Sequence, residues 1–325
     1  MARRKSLVKP TRLKLFSFDP RKNVWSPVPT ANVPYMSSHH PNTCFLSLIS
    51  WNVDFAAPLL VRRFQAALSH LEQLISSESR STSPPPPPTI ILLQEVDASC
   101  FTALLSNTFI RASYQVSNIS SPQSYSTLTL VPHALAPLVS AVSRVPFAET
   151  RMQRDCLYLD LDIPLSDADA LAPKKTFRIR IANTHLESLN GFGDKARPKQ
   201  LDAVAKLLSA PDVDGGLVAG DMNCISPSDR DLPAQVGLSD AWLPADAAKA
   251  MESGADETGE AEGHTWGYQP RCEYPPQRLD KILTVGKIEA IGIQRVGVGL
   301  QVQVEGRDVW VSDHYGLLAQ IFCCS

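Results

Sequence analysis

The sequence has no CxxC pair, and its seven cysteines, Cys44, Cys100, Cys156, Cys224, Cys272, Cys323 and Cys324, are odd in number and widely scattered. That pattern supplies neither a disulfide framework nor a structural zinc site. It reads as reduced, mostly buried thiols, and the terminal Cys323 and Cys324 lack a CaaX ending. No apolar run approaches the roughly 20 residues that span a bilayer. The start MARRKSLVKPTRLKLF has no apolar stretch long enough for a signal-peptide core, so neither membrane spanning nor secretion is expected. Charge of one sign is also missing: 31 basic residues face 33 acidic ones, a net charge of −2. A polycation that coats nucleic acid is excluded, whereas a local basic groove is not. Repeats of solenoid period are absent.

What is present is a chain of 325 residues, 44% hydrophobic, enough for one large or two small domains with a buried core. Residues 1–40 differ from the rest. Six Lys/Arg fall within positions 3–14 with no acid before Asp19, and Pro27, Pro29 and Pro34 follow. We read 1–40 as an N-terminal extension and 41–325 as the domain. The basic start fits a nuclear-import signal, a mitochondrial presequence or a solvated tail; the reduced thiols suit nucleus or cytoplasm.

FLSLISW (45–51) reads as a buried strand, and residues 59–75 carry apolar positions at helical spacing. Five consecutive prolines, Pro84 to Pro88, make 79–89 a polyproline-like surface insertion before the strand IILLQ. Further strands are predicted at SYSTLTLV, CLYLDLDI, TFRIRIANT, GLVAGD, RLDKILTV, IEAIGIQRV and YGLLAQIF, with helices near 97–105 and 196–209. Segment 244–263, with six acids and three glycines, predicts a mobile surface loop. Many strands with few helices favour an α/β (α+β) fold of two packed sheets with helices outside.

The polar residues that stand out lie at or just past the ends of these strands: Asn52 in SWNV, Glu95 in LQEV, His185 in NTHLES, Asp221 and Asn223 in GDMN, Asp280 in RLDKI, Asp313 and His314 in SDHYG. Singly, each has a duller explanation, a turn-forming Asn or Asp or a satisfied histidine. Glu95 resists that treatment, because a carboxylate ending a wholly apolar strand is costly to desolvate unless paired or bound to a cation. Together they form an oxygen-rich set with two imidazoles and no Ser or Cys nucleophile. Oxygen donors suit Mg2+ or Mn2+ better than Zn2+. A carboxylate left over can orient water while amide and imidazole groups stabilise charge on phosphorus, which points to metal-assisted phosphate-ester hydrolysis.

The ordered motifs SWNV, LQEV, NTHLES, GDMN, RLDKI and SDHYG resemble those of the endonuclease/exonuclease/phosphatase superfamily, over about residues 44–322. The resemblance implies a four-layered sandwich of two mixed β-sheets packed face to face with helices outside. It implies that Glu95 binds metal with Asn52 and Asp313 close by, that Asp221 orients or deprotonates the attacking water beside Asn223, and that His185 and His314 contact phosphate. Asp280 would hold the His314 ring and favour its cationic form.

Within the superfamily the likeness is nearest to the 5′-tyrosyl-DNA phosphodiesterases, through THLES (Thr184 to Ser188), the stretch PFAETRMQRDCLYLDLDI with Arg154 entering a strand, and HTWGYQ (264–269). It implies DNA with a blocked 5′ end as partner and a DNA-repair role. Arg154 and Ser188, in the matching segments, are expected at the substrate. Trp266 reads as stacking on a base or lining the DNA path, or as a buried structural tryptophan, and Arg197, with Lys195 and Lys199 in a loop read at 191–200, as a phosphate contact or a solvated residue. A tyrosine leaving group, with a conjugate-acid pKa near 10, needs little protonation as it departs. Abasic DNA, sphingomyelin, inositol phosphate and RNA tails stay open as substrates of relatives with the same motifs. A catalytically silent scaffold would have lost Glu95, Asp221, Asn223 or His314, and all four are present.

Overall fold

A computed structural model describes residues 8–28, 44–81, 86–164, 176–242 and 263–323. Its two large sheets are built on the same local plan. One has seven strands, in the order Thr11–Arg12, Val139–Pro146, Asp155–Pro164, Thr176–His185, Gly215–Asp221, Asp280–Gly286, Ser239–Asp240. The other has eight, in the order Ile288–Val296, Gly316–Cys323, Cys44–Asn52, Thr89–Asp97, Tyr125–Pro132, Tyr114–Val116, Phe16–Asp19, Val24–Pro27. Each contains one parallel pair, Thr176–His185 with Gly215–Asp221 and Cys44–Asn52 with Thr89–Asp97. A parallel pair needs a crossover, and a helix supplies it in both cases, Phe192–Leu208 in the first and Leu60–Ser81 in the second. The described neighbours of these pairs run antiparallel.

Three apolar clusters fill the spaces that result. Leu46, Leu48, Ile90 and Leu92 of one sheet meet Ile179, Ile181, Leu217 and Ala219 of the other. The alternate residues Ile49, Trp51, Ile91 and Leu93 point outward onto Phe64, Leu68 and Leu71 of helix Leu60–Ser81. On the far side Ala182 and Val218 pack on Leu201, Val204 and Leu208 of the second helix. Period-two alternation therefore serves two interfaces at once, which is why these strands read as unbroken apolar runs. The architecture is the expected four-layered α/β sandwich of two mixed sheets with helices outside.

The residues that face the other sheet change character along each strand. Leu46 and Leu48 are followed at the same spacing by Ser50 and Asn52; Ile179 and Ile181 by Asn183 and His185; Leu217 and Ala219 by Asp221. Midway, Gln94 Nε2 donates to Asn183 Oδ1 across the sheets at 2.8 Å, and Asn183 Nδ2 donates to the Leu93 and Leu128 carbonyls. The inter-sheet core thus grades from apolar to polar toward the carboxyl ends of the parallel strands, where ligands bind in open α/β sheets.

The structure changes several expectations. Residues 1–40 are not wholly an extension, because Thr11–Arg12 extends the seven-stranded sheet while Phe16–Asp19 and Val24–Pro27 extend the eight-stranded one. The domain therefore includes this clasp, whose short, half-exposed strands carry little apolar periodicity. The helix expected at 59–75 runs on to Ser81, into the start of the expected insertion. Pro86 to Pro88 precede a strand, and the Pro88 carbonyl accepts from Ser47 N–H at 3.0 Å, a role proline can fill. Residues 1–7, 82–85 and 244–262, including most of the acidic segment, lie outside the described residues. No helix among the described residues is long and apolar enough to cross a membrane.

Candidate active site

Asp221 ends a strand whose register sets it beside His185 on one side and Asp280 on the other. Its Oδ2 accepts from Asn52 Nδ2 at 3.0 Å and lies 3.3 Å from His185 Nε2 and 3.9 Å from His314 Nε2. Its Oδ1 accepts the Asn223 backbone N–H at 2.8 Å. Burial works to raise this carboxyl's pKa, but the two imidazoles and the Asn223 N–H outweigh it and hold Asp221 well below the usual carboxylate range. An anion is thus maintained in a buried site by donors converging from both sheets.

Because Gly316–Cys323 runs antiparallel to Cys44–Asn52, the residues just before it arrive at the same rim. His314 Nδ1 and Asp280 Oδ2 are 2.7 Å apart. Burial opposes a charge on His314, yet Asp280, Asp313 and Asp221 raise its pKa well above the ordinary imidazole value. Burial raises Asp280 in turn, partly offset by His314. Backbone ties fix the segment: Ser312 Oγ donates to the Asn52 carbonyl at 2.6 Å, and Trp51 Nε1 donates to the His314 carbonyl at 3.0 Å.

Two site residues occupy the left-handed region, Glu95 at φ +60° and Asn223 at φ +47°. At Glu95 the ladder slips between Leu93 and Val96, so the carboxylate leaves the strand's alternation and Oε2 accepts Phe55 N–H at 3.0 Å. Its Oε1 lies 3.8 Å from His185 Nε2. At Asn223 the turn lets the backbone fold onto Asp221 while Nδ2 donates to the Leu186 carbonyl.

Asp221, Asp280 and His314 present ligand atoms within 4.8 Å of one another, so this trio could hold a metal ion. His314 Nδ1 and Asp280 Oδ2 already engage each other, and Asp280 is 1% exposed. The carboxylates open to a hydrated ion are Glu95 and Asp313, whose side chains are 14% and 37% exposed. Both offer the oxygen donors that a hard cation prefers. Asn52 is committed through Nδ2 to Asp221, while Oδ1 accepts the Asp54 N–H and keeps a second lone pair.

Arg154 is buried against the site, with Nη1 2.8 Å from His185 Nδ1 and its guanidinium 5.3 Å from the Tyr125 ring centroid. A guanidinium only donates, so Nδ1 is the acceptor and the ring proton sits on Nε2, facing Asp221. Arg154 Nε has no hydrogen-bond partner among the described residues, and with Glu95, Tyr125, Ser126 and His185 it lines a small cleft. Ser188 Oγ faces Met152 Sδ at 3.1 Å. Trp266 is half-buried and donates Nε1 to Asp313 Oδ2 at 3.0 Å.

Arg197 corrects the expectation of a substrate contact. It lies in helix Phe192–Leu208 rather than in a loop, and it is fully buried. Its guanidinium joins Asp229 at 2.9 Å and Asp194 at 2.6 Å and donates to the carbonyls of Glu187 and Leu189. It staples the loops after His185 and Asp221 together and has no surface left for substrate. Sequence reasoning also missed Thr265, whose Oγ1 accepts the Asp280 N–H, and Gln269, whose Nε2 donates to the carbonyls of Gly297 and Ser312. Both lie in HTWGYQ, whose polar residues were the available signal.

Residues 49–314 match the Endonuclease/Exonuclease/phosphatase family. No curated protein matches the sequence. Among solved structures, TDP2 from D. rerio complexed with single strand DNA product has a TM-score of 0.58 at 21% identity, over 85% of this chain and 98% of that one. TDP2 from Caenorhabditis elegans has a TM-score of 0.59 at 19% identity, over 86% and 74%. An endonuclease/exonuclease/phosphatase protein from Beutenbergia cavernae has a TM-score of 0.54 at 16% identity, over 86% and 72%. At these identities the likeness concerns the fold.

Proposed function

This chain belongs to the endonuclease/exonuclease/phosphatase family, and from that premise we propose that it is a Mg2+-dependent phosphodiesterase that removes a 5′-phosphotyrosyl block from DNA. The observation that carries the hydrolytic reading is the buried Asp221 carboxylate, kept anionic between two imidazoles and two asparagines. The tyrosyl reading draws support from the THLES and HTWGYQ segments and from the likeness to TDP2 folds, one of them described with a DNA product.

Glu95 and Asp313 would hold the ion, with the Asn52 amide oxygen beside them. When bound, Mg2+ supplies charge neutralisation at a non-bridging phosphate oxygen and polarises the phosphorus centre. Asp221 orients the attacking water and accepts its proton; Asn52 and the Asn223 N–H fix the direction of its lone pairs. The His185 Nε2–H, 3.3 Å from Asp221 Oδ2, borders the phosphate position, and its tautomer is set by Arg154 at Nδ1. His314, held by Asp280, contributes a cationic ring with Nε2 3.9 Å from Asp221 Oδ2. Such fixed donors cost no reorganisation as charge develops. Little acid catalysis is required for a phenolate leaving group.

A substrate panel tests the assignment. Purified protein with Mg2+ is offered a 5′-phosphotyrosyl oligonucleotide, abasic duplex DNA, sphingomyelin and poly(A). Preferred release of a 5′-phosphate strand from the first is expected. Preference for another ester moves the chain to a different branch of the family, and inertness toward all four removes the hydrolytic reading.

A further inference from the structure

The Glu187 carboxylate, two residues past His185, is 1% exposed. It does not face the reacting groups. Its Oε1 accepts the backbone N–H groups of Arg151 and Met152 at 2.9 and 3.1 Å, and its Oε2 accepts Thr150 Oγ1–H at 2.7 Å. Thr150 Oγ1 in turn accepts the Arg154 N–H at 2.8 Å. Arg154 then reaches His185 Nδ1 at 2.8 Å. The connection is closed: it leaves the strand at His185, passes through Glu187, Thr150 and Arg154, and returns to the His185 ring.

From this geometry we infer that Glu187 is a positioning residue, which sets the Arg154 guanidinium against His185 by clamping the turn at 150–152. The inference rests on the proposed function for the role of His185, but the clamp itself is local. The turn needs one. Gln153 lies in the left-handed region at φ +56°. Although Arg154 Nη1 meets His185 and Nη2 donates to Met152 Sδ at 3.5 Å, its Nε has no hydrogen-bond partner among the described residues, so the inner end of the guanidinium depends on where the turn places the Arg154 backbone. A buried carboxylate accepting two amide N–H groups and a hydroxyl supplies charge-assisted hydrogen bonds, stronger than neutral ones.

The clamp is anchored from the helix side as well. Gln200 Oε1 accepts the Glu187 N–H at 2.8 Å, while its Nε2 donates to the Glu149 carbonyl at 2.9 Å. The Arg151 guanidinium lies 4.4 Å from the Phe192 ring centroid. Helix Phe192–Leu208 is therefore the rigid body against which the turn is held. Its dull alternative is that Glu187 merely satisfies buried amides, contributing to stability and nothing to the site.

Two variants separate these roles. Thr150→Val keeps the side-chain shape and leaves both Glu187–amide bonds in place, but removes the link to Arg154. Glu187→Ala removes the whole clamp. In full-length, metal-free protein, 15N NMR of the His185 ring is expected to give two well-separated nitrogen signals of one fixed tautomer in the wild type, moving toward averaged positions in Thr150→Val and restored in Thr150→Ser. With the 5′-phosphotyrosyl oligonucleotide, Thr150→Val and Glu187→Ala should each lower kcat by about tenfold or more. In an Arg154→Ala background the same changes should have almost no further effect. A Thr150→Val protein with wild-type kcat and an unchanged His185 spectrum overturns the inference, as do losses that multiply fully with Arg154→Ala. If the wild type turns over no phosphate ester, the functional reading fails by itself, and the ring-nitrogen spectra still decide the positioning role.

Discussion

Asp221 and His185 end two parallel strands in register, and Asp221 Oδ2 stands 3.3 Å from His185 Nε2. This pairing puts the carboxylate proposed as the base and its imidazole donor side by side at the ends of strands. Replacing Asp221 by Asn keeps the shape and removes the base. Asp221→Asn should lower kcat by a factor on the order of 10² or more, with a melting temperature close to wild type, as checked by steady-state kinetics and thermal unfolding.

Glu95 carries the metal assignment. Loss of an outer partner of a metal site typically costs about 10–100-fold in affinity, so loss of a ligand should cost no less. Glu95→Gln should shift the Mg2+ activation curve to concentrations on the order of tenfold higher or more, with activity recovered at saturating metal. A curve superimposable on wild type would reassign the ion to the inner trio of Asp221, Asp280 and His314.

The Asp280–His314 pair sets a pH dependence. Burial opposes the His314 charge, but Asp280 foremost, then Asp313 and Asp221, raise its pKa well above the ordinary imidazole value. The cation that the proposed mechanism uses is therefore present through neutrality and lost as pH rises through that elevated pKa. Asp280→Asn removes the nearest carboxylate, so the alkaline limb of the kcat profile should move to lower pH, by about 1 unit or more. An unmoved limb would mean that His314 does not act as the cation.

Arg197 provides the contrast. Its fully buried guanidinium is matched by Asp229, itself 1% exposed. Removing one member of a buried pair strands the other charge, a loss of about 3–5 kcal/mol. Arg197→Ala should thus fall sharply in denaturant midpoint, whereas a substrate contact would chiefly have changed KM.

Much of this was legible in the sequence because the inter-sheet face is written at period two. The run from Ile179 and Ile181 to Asn183 and His185 announces where the core ends and chemistry begins, and Leu217, Ala219 and Asp221 repeat it. The six motifs mark strand ends, so convergence on one rim follows once the strands form two sheets. Other features escaped for physical reasons. Thr11–Arg12 and Tyr114–Val116 are too short for periodicity to show. Arg197 looked like a phosphate contact because a basic residue near a histidine reads the same in sequence whether it faces solvent or a buried Asp229. Glu187 was visible inside THLES, but its function depends on a turn more than thirty residues earlier, a pairing that spacing alone does not encode.

The most direct test of a metal-assisted phosphodiesterase is release of the 5′-phosphate strand from a 5′-phosphotyrosyl oligonucleotide by the wild-type protein, measured with Mg2+, after chelation by EDTA, and after Mg2+ is restored. The account predicts cleavage with the ion, none with the chelator, and recovery on readdition. Cleavage that continues undiminished in EDTA would contradict it.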